Sequence, residues 1–434
     1  MIAKTQYTSR RKELAEAIGE DALAIISAGV EQIRNGDAYY RFRQQSDFYY
    51  LTGFNEPNAV LVILGGKKGE SILFNRKKNP QQEQWTGERL GQESAMSQLH
   101  VDAAYDIEEL ATGLAKLCLG KQALYYAIGQ DPICEPLILK TILQLKTKTR
   151  SGISRPVQLG DLEPILSEMR LFKSTEEIAL IQKACDISVM AHREAMKTCA
   201  SMQFEYQLEA QLIYTFTEQG CRDVAYDPIV ACGKHACILH YTANDGPLRP
   251  GELVLIDAAG EYENYAADIT RTFPVNGKFT AEQRAIYELV LLAQRTAMKK
   301  VKPGLPWSDI QETILQILTA GLCDLGILKG SLNDLIETQA YKPFYMHSSG
   351  HWLGLDVHDA GHYKQHETWR TLQPNMVFTI EPGLYISESE TVDPRWWNIG
   401  IRIEDDILVK QQGYVNLSAA LPVEIDEIEA LIRG

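Results

Sequence analysis

No stretch of this 434-residue chain approaches the ~20 consecutive apolar residues of a membrane-spanning helix. The opening residues, Met1 to Asp21, contain no apolar segment ahead of a cleavage site, so the expected location is the cytoplasm. Basic residues are in the minority: 43 Lys and Arg against 57 Asp and Glu leave −14 at pH 7. Such a field repels nucleic acid and anionic membrane surfaces, and neither is expected as a partner. Paired cysteines are missing as well. The eight present, at 118, 134, 185, 199, 221, 232, 237 and 323, form no CxxC pair and no dense disulfide framework, which points to reduced thiols. The cluster Cys232, His235, Cys237 and His240 has the residue types of a zinc knuckle but matches no standard zinc spacing. There is no low-complexity tract, and the most basic stretch, Lys146 to Arg150, interleaves Lys with Thr. With 45 % hydrophobic, 23 % charged and 9 % aromatic residues, the composition is that of an ordinary folded globular protein.

The length suggests about three domains, but local signals give two. Ser174 followed by Glu177 reads as a capping box, and Ile178, Ile181, Cys185 and Ser188 then keep helical spacing, so a new unit begins near 171. Residues 1–170 alternate short apolar β-rich runs (Ala24 to Ile26, Val60 to Leu64, Ser71 to Phe74, Ala123 to Ile128) with helical stretches such as Glu108 to Leu119, as in a small α/β domain. Residues 171–434 show one pattern twice, two helices and then two strands. Helices near 175–200 and 204–220 precede strands at 253–260 and 265–275; helices near 281–301 and 308–327, opened by capping boxes at Thr280/Gln283 and Ser308/Gln311, precede strands at 376–386 and 400–410. The second unit reads as an α+β internal duplication.

The chemistry concentrates in the two strand pairs. Asp257 ends an apolar run and Asp268 follows a polar turn around Glu261 to Asn264; a hairpin centred there places the two aspartates directly opposite each other. Glu381 and Glu404 repeat the arrangement in the second pair. Each of the four follows an Ile or Ala, which argues for burial, and buried like charges need a cation or a shared proton. Between the pairs, His347, His351 and His358 fall within twelve positions. Oxygen-rich coordination with one imidazole suits Mn2+, Co2+, Fe2+ or Zn2+ in a two-metal site. Ser348, Ser349 and Gly350 are poor helix formers, so the 347/351 spacing does not make both histidines ligands. Taken singly, an Asp at a strand end is an ordinary turn former, and Glu404 with Asp405 and Asp406 is an ordinary solvated edge. Hairpin symmetry together with neighbouring histidines favours a buried metal site.

The ordered set Asp257, Asp268, His351, Glu381 and Glu404, with the segments His351–Asp359, Ile380–Tyr385 and Gly400–Asp406 around it, resembles the bacterial Xaa-Pro aminopeptidases (aminopeptidase P) of the pita-bread metallopeptidase superfamily. Asp47 to Pro57 and Glu83 to Gly91 resemble that family's N-terminal domain, so the likeness covers nearly the whole chain. It implies an α/β N-terminal domain serving oligomerisation and access to the site, plus a creatinase/methionine aminopeptidase-like pita-bread domain with pseudo-twofold symmetry. It implies two divalent ions, usually Mn2+, with Asp257 on one, His351 and Glu381 on the other, and Asp268 and Glu404 bridging. A metal-bridging hydroxide would attack the Xaa-Pro carbonyl, His358 or His240 would polarise that carbonyl, and Glu381 would deliver a proton to the proline nitrogen. His240, His347 and His358 would line the substrate site, with Tyr385 and Arg402 behind the ligands. Trp85 and Arg150 would reach into a neighbouring subunit of a homo-oligomer, a tetramer or dimer. Arg370 is the nearest counterpart of an arginine that family members carry before the strand leading to Glu381. A prolidase restricted to dipeptides shares this fold and these metals; metal-free creatine hydrolases and peptide-binding relatives lack the ligand set retained here.

Overall fold

The computed structural model describes residues 2–132, 134–148, 152 and 154–433. The chain divides into two compact units, Met1–Arg170 and Leu171–Gly434.

In the first unit six strands form one mixed sheet: β1 (Ala22–Ser27), β2 (Val60–Leu64), β3 (Ser71–Asn75), β4 (Ala103–Asp106), β5 (Ala123–Tyr126) and β6 (Gln158–Asp161), in the order β4-β3-β2-β1-β5-β6. The central strand β1, sequence ALAIIS, is buried at five of its six positions and pairs antiparallel with β2 and parallel with β5. An uninterrupted apolar run is what a strand covered on both faces requires. Leu23, Ile25, Val62, Phe74, Leu114 and Ile138 form the core of this unit. The helical stretch expected from Glu108 begins as a single 3-10 turn, Ile107–Glu109, and continues as a helix over Leu110–Leu117.

The second unit carries four long helices, α1 (Thr175–Thr198), α2 (Glu205–Glu218), α3 (Ala281–Lys300) and α4 (Ser308–Asp324). Capping boxes start α1 at Ser174/Glu177 and α3 at Thr280/Gln283, where side chain and backbone satisfy each other's free donors. The box expected at Ser308/Gln311 does not form. Trp307 is the cap residue, Ser308 already lies inside α4, and the Gln311 side chain instead accepts the Ser349 N–H at 2.7 Å. A better partner from the histidine segment takes the glutamine that a capping box would use.

The helices pack on antiparallel strands: β7 (Ile229–Cys232), β8 (Leu253–Asp257) and β9 (Thr270–Pro274) in one set, β10 (Val377–Ile380) with β13 (Asp405–Val409), and β11 (Gly383–Ile386) with β12 (Ile399–Arg402) in the other. The turn between β8 and β9 centres on Glu263 and Asn264, both left-handed (φ 51° and 64°), the backbone that a two-residue hairpin turn needs. Asp257 therefore pairs with Thr270, and Asp268 falls two residues short of the position directly opposite Asp257. An offset of two still keeps it on the same face. In the second pair Ile380 faces Asp405 and Gly383 faces Arg402, a single register that sets Glu381 across from Glu404. The two halves meet where Thr270 bridges Glu404 and the Glu404 N–H donates to the Thr270 carbonyl at 3.1 Å.

Candidate active site

Where the strand pairs meet, a cavity of about 480 Å3 is lined by Asp257, Asp268, Glu381 and Glu404 together with His240, His347, His351, His358 and Arg402. All nine were expected at the site from sequence. Glu404 is 2 % exposed, Asp268 5 % and Asp257 9 %, and Glu381 is half-buried, so the carboxylates face largely low-dielectric surroundings with the Arg402 guanidinium beside them. Burial and mutual repulsion push the carboxyls of Asp268 and Glu404 above the usual range, and raise Glu381 to about 7.

Among the described residues, one set offers metal-ligand atoms all within 4.8 Å of one another: Asp268, His351 and Glu404. His351 Nε2 stands 3.2 Å from Asp268 and 3.6 Å from Glu381, while its Nδ1 lies 3.0 Å from the Trp352 carbonyl. An Nδ1–H held by a backbone carbonyl aims Nε2 at the carboxylates, the orientation of a metal-ligating histidine once Nε2 gives up its proton to the ion. Burial opposes a charge on this ring, but Asp268 and Glu381 lift its pKa to about 9. The donor set, hard carboxylate oxygens plus one imidazole, fits divalent transition ions such as Mn2+ or Zn2+.

A second layer fixes the first. Arg402 spreads its guanidinium over three partners: Nη2 to Asp257 at 2.6 Å, Nη1 to the Tyr385 hydroxyl at 2.9 Å and Nε to Thr270 Oγ1 at 3.1 Å. The Tyr385 hydroxyl also bonds His347 Nε2 at 2.8 Å, and His347 Nδ1 lies 2.8 Å from the Ser348 carbonyl. Burial and the nearby Arg402 charge lower His347 to about 4, so it is a neutral ring with a fixed tautomer. Tyr385 is buried behind the cavity wall rather than lining it. His240 and His358 stand at the exposed rim; the part of the His358 ring that packs against His351, centroids 4.4 Å apart, is desolvated, and this followed by the His351 charge lowers its pKa.

Several residues at the site carried no signal in the sequence. The Tyr226 hydroxyl lies 2.5 Å from Asp257 Oδ1 and 2.7 Å from Asp268 Oδ1. Its single proton can serve one of the two oxygens, so the pair needs a further proton or a cation. Thr270 donates to Glu404 Oε2 at 2.7 Å, and Thr379 Oγ1 accepts the His351 N–H at 3.1 Å. Behind them Arg271 bonds the Glu404 carbonyl at 2.7 Å and Asp405 at 2.7 Å, and Asp406 accepts the Asp268 N–H at 3.0 Å. Thr270 and Thr379 lie on strands buried at every position, where no alternation marks them out; Tyr226, 31 residues before Asp257, has no spacing that links it to the carboxylates.

Other expected residues lie elsewhere. Arg370 is 2 % exposed, donates from Nε to the His362 carbonyl at 2.9 Å and does not line the cavity; its neighbour Trp369 does. Trp85, on the short helix Pro80–Thr86 of the first unit, is 88 % exposed. Arg150 lies outside the described residues. The cluster Cys232, His235, Cys237 and His240, whose spacing matches no zinc pattern, is dispersed: His235 bonds Glu205 at 3.0 Å, Cys232 bonds Glu252 at 3.4 Å, and His240 faces the cavity. All eight cysteines are free. Among the described residues no helix is long and apolar enough to cross a membrane.

The model of metallopeptidase family M24 matches residues 179–411, and that of the aminopeptidase P N-terminal domain matches residues 7–125. The chain belongs to metallopeptidase family M24, with the aminopeptidase P N-terminal domain ahead of a pita-bread catalytic domain. Within that class it is similar to the Xaa-Pro aminopeptidase of Haemophilus influenzae, 45 % identical with 100 % of this chain and 98 % of the relative covered. It is likewise similar to the Xaa-Pro aminopeptidase of Escherichia coli K12, 43 % identical over 99 % and 98 %. The solved proline aminopeptidase P II from Yersinia pestis superposes with a TM-score of 0.97 at 45 % identity, all of both chains being covered.

Proposed function

We propose that this protein is a metal-dependent aminopeptidase that releases the first residue from peptides with proline in second position. The observation that carries the reading is the set Asp257, Asp268, His351, Glu381 and Glu404 around one cavity, in a chain matched end to end by Xaa-Pro aminopeptidases. Those relatives favour this activity over that of a dipeptide-restricted prolidase.

Two divalent ions, Mn2+ in our reading, would be held with Asp257 on one, His351 and Glu381 on the other, and Asp268 and Glu404 shared. Such ions supply a Lewis acid for the carbonyl oxygen and bring the pKa of a bound water toward neutrality. The chain's own groups do the rest. An Xaa-Pro bond has no N–H for a protease to grip, so recognition falls on the carbonyl and on the free amine, which Asp257 is placed to attract. His358 or His240 at the rim donates a ring N–H to the carbonyl oxygen. Glu381 would accept the proton given up by the attacking water and pass it to the proline nitrogen as the bond breaks. Arg402, Tyr385 and His347 hold Asp257 and the cavity wall in register. The protein is read as cytoplasmic and as a tetramer or dimer, in which Trp85 of the first unit would reach a neighbouring subunit's site. Mass analysis of products from Ala-Pro-Ala tests the activity. Free alanine plus Pro-Ala is expected, with turnover abolished in Glu381→Ala; near-normal turnover by a fully metal-loaded Glu381→Ala would refute the assignment.

A further inference from the structure

A second, smaller cavity of about 220 Å3 adjoins the main one and shares with it Trp307, Ser348, Gly350 and Trp369. Gly350 immediately precedes His351, so the opening lies beside the candidate metal ligand. At Gly350 the chain runs close against β10: a Cβ there would lie 2.0 Å from the Thr379 carbonyl oxygen, so no side chain can stand at this position. Two indole rings, those of Trp307 and Trp369, stand among its walls. Trp307 is held rigidly against Trp352 (centroids 4.4 Å apart) and Tyr363 (4.9 Å). Helix α4 completes the pocket with Gln311 and Glu312. Gln311 is tied to the Ser349 N–H. Glu312 is exposed and, among the lining residues, the one with a formal charge. It makes no ion pair among the described residues. Lys364 lies 4.7 Å from the centroid of Trp369 but does not line the pocket.

A pocket with two tryptophans and one glutamate among its lining residues suits a long aliphatic stem with a cationic head, which packs its methylenes on aromatic surface and sets its charge near the acid. We propose that this side pocket selects peptides bearing a lysine or arginine side chain, with Glu312 as the specificity determinant and Trp307 and Trp369 as its walls. This rests on the aminopeptidase reading, and the test separates the two. In the series Xaa-Pro-Ala and Ala-Pro-Xaa, with Xaa lysine, norleucine or glutamate, kcat/KM for lysine is expected to exceed that for norleucine by about 3–10-fold in one series, with glutamate poorest. Glu312→Gln should bring the lysine/norleucine ratio near one, and Glu312→Asp should keep part of it. The affinities of the same peptides, measured by calorimetry, should follow the same order without depending on turnover. A ratio near one in both series, or a ratio unchanged in Glu312→Gln, overturns the pocket assignment. Failure to cleave any proline peptide overturns the aminopeptidase reading instead, and calorimetry still decides the pocket.

Discussion

Arg402 Nη2 lies 2.6 Å from Asp257 Oδ2, a contact between the second strand pair and the first. It is the direct cationic neighbour of a buried carboxylate whose other oxygen meets Tyr226. The same guanidinium reaches Tyr385 and Thr270 with separate nitrogens, a division that a lysine ammonium, being a point charge, cannot reproduce. Arg402→Lys and Arg402→Met should therefore both lower kcat/KM, by about 10–100-fold as for other groups that orient metal ligands. Steady-state kinetics on Ala-Pro-Ala checks this; full activity in Arg402→Lys would show that charge alone matters.

Tyr226 bridges Asp257 and Asp268 through one hydroxyl. In Tyr226→Phe the two carboxylates lose their shared donor but keep their packing, and divalent-ion affinity should drop about tenfold or more. Titration of metal-free protein with Mn2+ in a calorimeter measures it, and an unchanged affinity would place Tyr226 outside the metal site's support.

Arg271 and Asp405 form an ion pair at 2.7 Å with both side chains essentially inaccessible. Gln294 and Ser418 satisfy the rest of the Asp405 carboxylate, at 2.8 Å and 2.6 Å. Removing only the arginine strands a buried charge directly behind Glu404. Arg271→Met should lose about 3–5 kcal/mol of unfolding free energy, and adding Asp405→Leu should recover part of it. Guanidinium unfolding curves of the two variants decide the matter.

His192 is fully enclosed, with Nε2 2.8 Å from the Ala258 carbonyl. Burial lowers its pKa to about 4 from the ordinary 6.5. Because the unfolded chain takes up the proton first, this residue's contribution is present above pH 6.5 and is lost as the pH falls toward 4. It amounts to about 2 kcal/mol by pH 5. Urea midpoints from pH 7 to 5 should fall more steeply for the native protein than for His192→Gln; parallel slopes would contradict the assignment.

What the sequence made legible follows the reach of local rules. The helix starts at Ser174 and Thr280 were readable because a capping box is complete within four residues. The Glu381/Glu404 juxtaposition was readable because both flanking ladders keep one register. The first hairpin misled by two positions: the polar stretch Glu261 to Asn264 contains the turn at its end, where Glu263 and Asn264 take left-handed conformations, rather than at its middle. Ser308/Gln311 had the spacing of a cap, but a distant N–H from Ser349 captured the glutamine. Tyr226 and the Arg271–Asp405 pair belong to contacts between remote segments, which no periodicity encodes. The side pocket, which draws Trp307 and Trp369 into one lining, is of the same kind.

In the proposed reaction, divalent ions held by the cavity's carboxylates drive cleavage before proline. Initial rates on Ala-Pro-Ala and Ala-Ala-Ala, measured after exhaustive chelation and again after adding Mn2+, test it most directly. Loss of Ala-Pro-Ala cleavage on chelation, its return with Mn2+ and little cleavage of Ala-Ala-Ala are the predicted result; undiminished activity in the chelated protein, or equal cleavage of the two peptides, would contradict it.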